Sequence, residues 1–256
     1  MRKAVLTLCL VLTAMSAFAQ DWAKQRLAAS PRHREWVKVK TGNRDVNAFV
    51  VYPEVKSKAT SVVVIHEIFG LSDWVQLLAD EVAEAGYIAI APDLLSGMGP
   101  LADATAVGKA IRDLPPDQIT ADLNAVADYV AKLPAANGKF AVAGFCWGGG
   151  ESFRFATNRP TLAAAFVFYG PGPDSVDSIK APVYGFYAGE DARIGATVDK
   201  TLTMMHDAKK TYEVVTYAGA GHGFMRAGDA PDASPANKKA RDESWVRWKT
   251  LLKNIK

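Results

Sequence analysis

Apolar positions change period along this chain, and the changes mark out strands and helices. Glu35 to Thr41 and Asp45 to Tyr52 alternate apolar and polar residues on either side of Gly42-Asn43, which predicts a β-hairpin. Ser61 to Ile65 is rich in β-branched residues and does not alternate, so it predicts a strand covered on both faces. Leu71 to Ala85 has helical spacing, with Leu77, Leu78 and Val82 on the inner face, and Gly86 ends it. Tyr87 to Ala91 is another covered strand, stopped by Pro92-Asp93. Ser96 to Ile119 is loop-rich, with room for one short helix over Ala102 to Arg112. Thr120 to Leu133 again has helical spacing, turning Leu123, Val126, Ala127 and Val130 inward. A strand over Lys139 to Ala143 follows, then a glycine-rich turn and a helix to about Thr157. Further strands are expected at Ala163 to Tyr169, Val183 to Ala188 and Tyr212 to Tyr217, with helices over Thr197 to Ala208 and Asn237 to Lys253. The polar stretch Asp21 to Arg34 is expected to be a surface lead-in.

Strands that alternate with helices behind a hairpin predict an α/β fold. It is a mostly parallel, doubly wound sheet with helices on both faces and an antiparallel N-terminal start. In such sheets functional residues gather at the carboxyl ends of the strands. The region from Ser96 to Ile119 follows such an end and can overhang it.

The first residues do not fit this pattern. Arg2 and Lys3 precede an apolar run from Ala4 to Ala14, and Ala17-Phe18-Ala19 has the small-x-small form of a cleavage site. The run is too short to span a bilayer. Met1 to Ala19 is therefore expected to be a signal peptide, leaving a single exported domain over residues 20–256, periplasmic and without membrane attachment. Cleavage removes Cys9 and leaves Cys146 as the one cysteine, so no internal disulfide and no resolving thiol remain. Loss of Arg2 and Lys3 takes the net charge from +3 to +1, and no basic stripe is present, which argues against nucleic acid as a partner. The expected state is a monomer or weak homo-oligomer acting on a small molecule.

Candidate chemistry sits at the predicted strand ends. Gly144-Phe145-Cys146-Trp147-Gly148 has the spacing of a nucleophile elbow, with cysteine where serine is usual. Its tight turn needs small residues on both sides, and the start of the following helix favours a thiolate. Asp191 follows the strand Val183 to Ala188, and His222 lies in Gly221-His222-Gly223 after Tyr212 to Tyr217. Nucleophile, acid and base thus follow the chain order of the α/β-hydrolase fold. A neutral thiol is a poor nucleophile and needs a base. The imidazole in turn needs a carboxylate to fix its tautomer. Glu190 competes with Asp191 for that place. His66-Glu67-Ile68-Phe69-Gly70 follows the strand Ser61 to Ile65, where this fold supplies an oxyanion-hole amide, so the expected donors are the N–H groups of Ile68 and Trp147. Glu67 is unusual there, because a carboxylate beside an oxyanion hole is costly unless partnered. His33 and His206 are assigned no role. No dinucleotide fingerprint and no metal-ligand spacing is present, so no cofactor and no metal is expected.

With these residues in place, the chain from about Ser61 to Arg226 resembles the dienelactone hydrolase family. The resemblance is carried by His66-Glu67-Ile68-Phe69-Gly70, Ala91-Pro92-Asp93-Leu94, the Cys146 elbow and Gly221-His222-Gly223-Phe224. It implies hydrolysis of a carboxylic ester or lactone by a triad of Cys146, His222 and Asp191 through a thioester. It also implies that Glu67 partners a resting thiol and takes its proton when substrate binds. Family members that cleave dienelactone hold its carboxylate with two arginines. Arg226 matches one, with Phe69 and Phe224 as further candidates for the substrate pocket. The other belongs just after Pro92-Asp93-Leu94, where this chain has Leu95-Ser96-Gly97-Met98-Gly99, and the next arginine is Arg112. The alternative reading is a non-catalytic small-molecule or carbohydrate-binding protein on the same scaffold.

Overall fold

The computed structural model describes residues 20–255. The expected signal peptide, Met1 to Ala19, lies outside the described residues. One eight-stranded sheet runs in the order β1-β2-β4-β3-β5-β6-β7-β8. Its strands are β1 (Arg34–Thr41), β2 (Arg44–Val51), β3 (Ala59–Ile65), β4 (Ile88–Pro92), β5 (Ala136–Phe145), β6 (Ala165–Phe168), β7 (Val183–Ala188) and β8 (Tyr212–Tyr217). β1 and β2 form the expected hairpin, paired from Arg34 with Val51 to Thr41 with Arg44 around Gly42-Asn43. β2 is antiparallel to β4, and all pairings from β4 to β8 are parallel.

The helices are α1 (Asp21–Ala28), α2 (Asp73–Glu84), α3 (Ala104–Arg112), α4 (Pro116–Ala131), α5 (Trp147–Asn158), α6 (Ala192–Asp207), α7 (Phe224–Asp229) and α8 (Pro235–Lys253). Every residue of β3 is buried, as its lack of alternation requires. Val63 and Ile65 pack with α4, α5 and α6 residues such as Leu123, Phe153 and Val198. Val62 and Val64 face the opposite layer of α1, α2 and α8, with Leu27, Leu78 and Trp248. Trp248 lies 5.2 Å from Phe168 and 5.9 Å from Phe145, both in strands that lead to the site.

Three expectations are corrected. Asp21 to Arg34 is not a mere surface lead-in: α1 docks Ala23 and Leu27 on α2, and the Gln20 side chain accepts a 2.7 Å hydrogen bond from the Trp74 amide. Two buried apolar residues, Ala23 and Leu27, in one short helix are too few to stand out as a period. α4 begins at Pro116 rather than Thr120, because proline at a helix's first turn has no N–H to leave unpaired. α6 begins at Ala192 rather than near Thr197, because Asp191 caps it by accepting from the Ile194 amide at 3.2 Å.

Candidate active site

Five parallel strands, β3 and β5 to β8, end on one rim, and the loops leaving them build a cavity of about 890 Å³. Cys146 stands between β5 and α5 with φ 58° and ψ −117°, a strained backbone for a side-chain-bearing residue. The two flanking glycines make that turn fit. A Cβ on Gly144 would overlap the Gly148 carbonyl, and one on Gly148 would overlap the carbonyls of Ile65 and His66. The start of α5 is thus pressed directly onto the end of β3. The half-buried Cys146 side chain faces the cavity.

His222 and Asp191 come from the neighbouring strand ends. His222 Nδ1 lies 2.5 Å from Asp191 Oδ2, while Asp191 Oδ1 is held by its cap bond to α6. The carboxylate is therefore fixed at both oxygens. Glu190, the competitor, is exposed, and only Asp191 meets the ring. The His222 pKa is raised, first by its hydrogen bond with the Cys146 sulfur and then by Asp191, against the lowering effect of burial. The Gly221 amide donates to Asn237 Oδ1 at 2.9 Å, so the start of α8 steadies the histidine loop.

Glu67 is 2% exposed and its Oε2 accepts from Arg226 Nε at 2.6 Å. Burial raises its pKa, and the Arg226 guanidinium and His222 pull it back. Arg226 lies on α7, an element too short to be read from spacing, and its guanidinium covers the Phe69 ring at 5.2 Å. It is thus a partner of Glu67, not a free surface charge. Among the described residues, neither the Ile68 amide nor the Trp147 amide donates to a backbone carbonyl. Beside them, His66 donates from Nδ1 to the Glu67 carbonyl (2.8 Å), stacks on Trp147 at 5.6 Å, and is held neutral by burial.

Phe69 lines the cavity as expected, but Phe224 does not. It is fully buried between Tyr169 and Tyr217, because α7 turns its first residue into the core. Spacing had not singled out Tyr169, the residue after β6, which forms part of the cavity wall. Asking what stands at every strand end would have found it. Arginines missed as a group also reach the wall: Arg112 from α3, Arg154 from α5 and Arg193 from α6. Arg154 is paired with Glu151, whereas among the described residues no ion pair involves Arg112 or Arg193. Among the described residues no group of three or more His, Cys, Asp or Glu could hold a metal ion. Nor is any helix among them long and apolar enough to cross a membrane.

Comparison with known proteins points in one direction. The model of the dienelactone hydrolase family matches residues 46–256. A provisionally named carboxymethylenebutenolidase of Salmonella typhi is 31% identical over 222 residues, covering 80% of this chain and 82% of the relative. Another from Saccharolobus solfataricus is 29% identical over 249 residues, covering 82% and 94%. A crystal structure of a provisionally named dienelactone hydrolase from Klebsiella pneumoniae superposes with a TM-score of 0.78 at 25% identity, covering 88% of this chain and all of the other.

Proposed function

The chain belongs to the dienelactone hydrolase family, and from that membership we propose that it hydrolyses a carboxylic ester or lactone, with Cys146 as nucleophile and His222 and Asp191 completing a triad. The observation that carries this is the His222–Asp191 couple, closed at 2.5 Å and set against a cysteine on a strained elbow. A protein that only binds its ligand has no use for a fixed imidazole tautomer beside a thiol.

The ion pair of Glu67 with Arg226 suggests how the thiol is activated. A substrate carboxylate that draws Arg226 away leaves Glu67 as a buried base whose pKa burial already raises. The thiol proton passes to Glu67, and the thiolate attacks the ester carbonyl. The Ile68 and Trp147 amides take the oxyanion, each such donor contributing about 3 kcal/mol. The carbon–oxygen bond breaks, the proton returns to the leaving oxygen, and a thioester on Cys146 remains. His222 then takes a proton from water, hydroxide attacks the thioester, the acid leaves, and the proton on His222 restores the thiol. Arg112 and Arg193 favour an ester with an anionic end, and they do so from positions other than the absent arginine after Pro92-Asp93-Leu94.

The test is hydrolysis of a short activated aryl ester by the domain over residues 20–256, next to Cys146→Ala. Turnover that vanishes in the variant, with a trapped acyl group adding its mass at Cys146, is the expected result. Turnover that persists without the thiol sinks the assignment. The basic, apolar and small-residue sequence of Met1 to Ala19 supports export with cleavage after Ala19. N-terminal sequencing of the protein from its producing cell checks this, and a mature chain that still begins at Met1 overturns it.

A further inference from the structure

The connection from β6 to β7 departs from the rest of the sheet. Helices α2, α3 with α4, α5 and α6 fill the other crossovers between parallel strands, whereas residues 169–182 form no helix. A connection longer than about 12 residues without secondary structure is uncommon in a compact domain and is usually functional. This one is firmly seated, because Val176 and Ile179 are buried in the same core as Phe153 of α5. It is also tied to α5 at both ends. At its start, a Cβ on Gly170 would overlap the Gly149 and Gly150 backbone, so loop and helix touch there. Further on, Ser178 Oγ donates to the Thr157 carbonyl, in the last turn of α5, at 2.7 Å. On its other side, a Cβ on Gly172 would overlap Thr201 of α6.

Between those two ties the cavity that holds Cys146 continues as a trough. Its walls are Glu151, Arg154 and Thr157 of α5 and Asp174, Ser175 and Ser178 of the loop. At about 1.5 Å per residue, α5 carries its wall about 15 Å from Trp147 to Thr157. A simple ester or small lactone at Cys146 leaves most of that length empty. None of the six wall residues is aliphatic. Arg154 donates from Nε to Glu151 Oε2 at 2.7 Å, from Nη1 to Thr120 Oγ1 at 2.7 Å and from Nη2 to the Pro116 carbonyl at 3.3 Å. This holds the Glu151 carboxylate in one orientation and, among the described residues, leaves its Oε1 without a partner. An aliphatic tail laid here would strip water from two carboxylates and several hydroxyls without replacing it. An anionic chain would face Glu151 and Asp174. A neutral chain of hydroxyls both donates and accepts, and it matches this wall.

We propose that the trough between α5 and the β6–β7 loop binds a polyhydroxylated part of the substrate, so that the ester cleaved at Cys146 is carried by a saccharide longer than a monosaccharide. This rests on the reading of Cys146 as the centre of ester hydrolysis. Arg112 and Arg193 stand on α3 and α6, so an anionic end and the saccharide fall on different walls of the cavity. Glu151 is the central binding residue of the trough, because Arg154 fixes it in advance and its ordering costs little when the sugar arrives.

The test is calorimetric binding of unesterified cellobiose, maltose, glucose and octanoate to the domain over residues 20–256. At least one disaccharide is expected to bind about tenfold or more tightly than glucose, which cannot span the trough, and more tightly than octanoate. Glu151→Ala should weaken that disaccharide about tenfold or more, the scale of one hydrogen bond to a charged group. Ser175→Trp, a change at an exposed loop position that fills the trough without touching Arg154, should weaken it similarly with an unchanged melting temperature. The acetyl ester of the same disaccharide should then be hydrolysed with a kcat/KM above that of ethyl acetate, and Ser175→Trp should narrow the gap. Absence of binding by both disaccharides, or equal binding by the parent and Ser175→Trp, overturns the proposal. Tighter binding of octanoate also overturns it and gives the trough to an acyl tail. Binding needs no turnover, so these outcomes are distinct from a failure of Cys146→Ala to abolish hydrolysis.

Discussion

At the residue scale the site depends on how buried charges are neutralised. Glu67 is the sharpest case, because burial at 2% exposure favours the protonated carboxyl and the ion pair with Arg226 opposes it. If Glu67 must be ionised to accept the thiol proton, activity falls as pH drops through its pKa. That pKa is raised by burial, so the acid limb of kcat/KM should lie above the ordinary carboxylate range near about 4.3. Arg226→Gln removes the charge that lowers it. The limb should then move to still higher pH, with turnover of a neutral aryl ester partly retained at alkaline pH. A pH–rate profile that does not move would disconnect Glu67 from the proton transfer.

At the scale of elements the question is what keeps α7 in place, since it carries Arg226 and has only six residues. The answer is a cluster of four charged side chains behind the site. Arg241 of α8 reaches Glu81 of α2 at 2.7 Å and Asp229, the last residue of α7, at 3.2 Å. Arg26 of α1 meets the same two acids at 2.6 and 2.8 Å. Burial, together with Asp229, raises the pKa of Glu81, so the two acids need the arginines. Arg241 is largely buried, whereas Arg26 is half exposed and water screens it. Arg241→Ala should therefore cost about 3 kcal/mol in urea unfolding and Arg26→Ala about 1 kcal/mol or less. Equal losses would show that burial does not set the value of these pairs. Loosening α7 through Arg241 should also weaken ester turnover, although the residue touches no part of the cavity.

At the scale of the whole molecule the charge around the cavity mouth matters more than the near-neutral total. Arg112 folds back along α3, its guanidinium nitrogen 3.4 Å from where a Cβ on Gly108 would stand, and that same point lies 3.6 Å from Ile68. Arg193 stands on another wall at the start of α6. Both are exposed, and among the described residues neither has an ion-pair partner. Arg112→Ala and Arg193→Ala should each raise KM for an aryl ester bearing a distal carboxylate about threefold to tenfold. KM for the uncharged analogue should stay the same. Because the charges face water, added salt should shrink the difference. An equal effect on both esters would assign the arginines to packing.

Order along the chain was enough to read the layered architecture, the hairpin and the segments after β3, β5, β7 and β8. Those features are local: a period of two or 3.6, a glycine on each side of a tight turn, a short motif at a strand's end. Asp191 is preferred over Glu190 already from its place in the loop after β7, but the contact itself is not local: it is the end of β8 that brings His222 within 2.5 Å of the Asp191 carboxylate. The pairing of Arg226 with Glu67 spans most of the chain, and spacing carries no trace of it. Phe224 and Tyr169 were likewise decided by packing, which sent one aromatic into the core and made the other part of the cavity wall. Sequence by itself determined which residue types stand at the strand ends. Only the tertiary structure decided which of them share a hydrogen bond, because burial and charge pairing arise between segments that meet nowhere but in the fold.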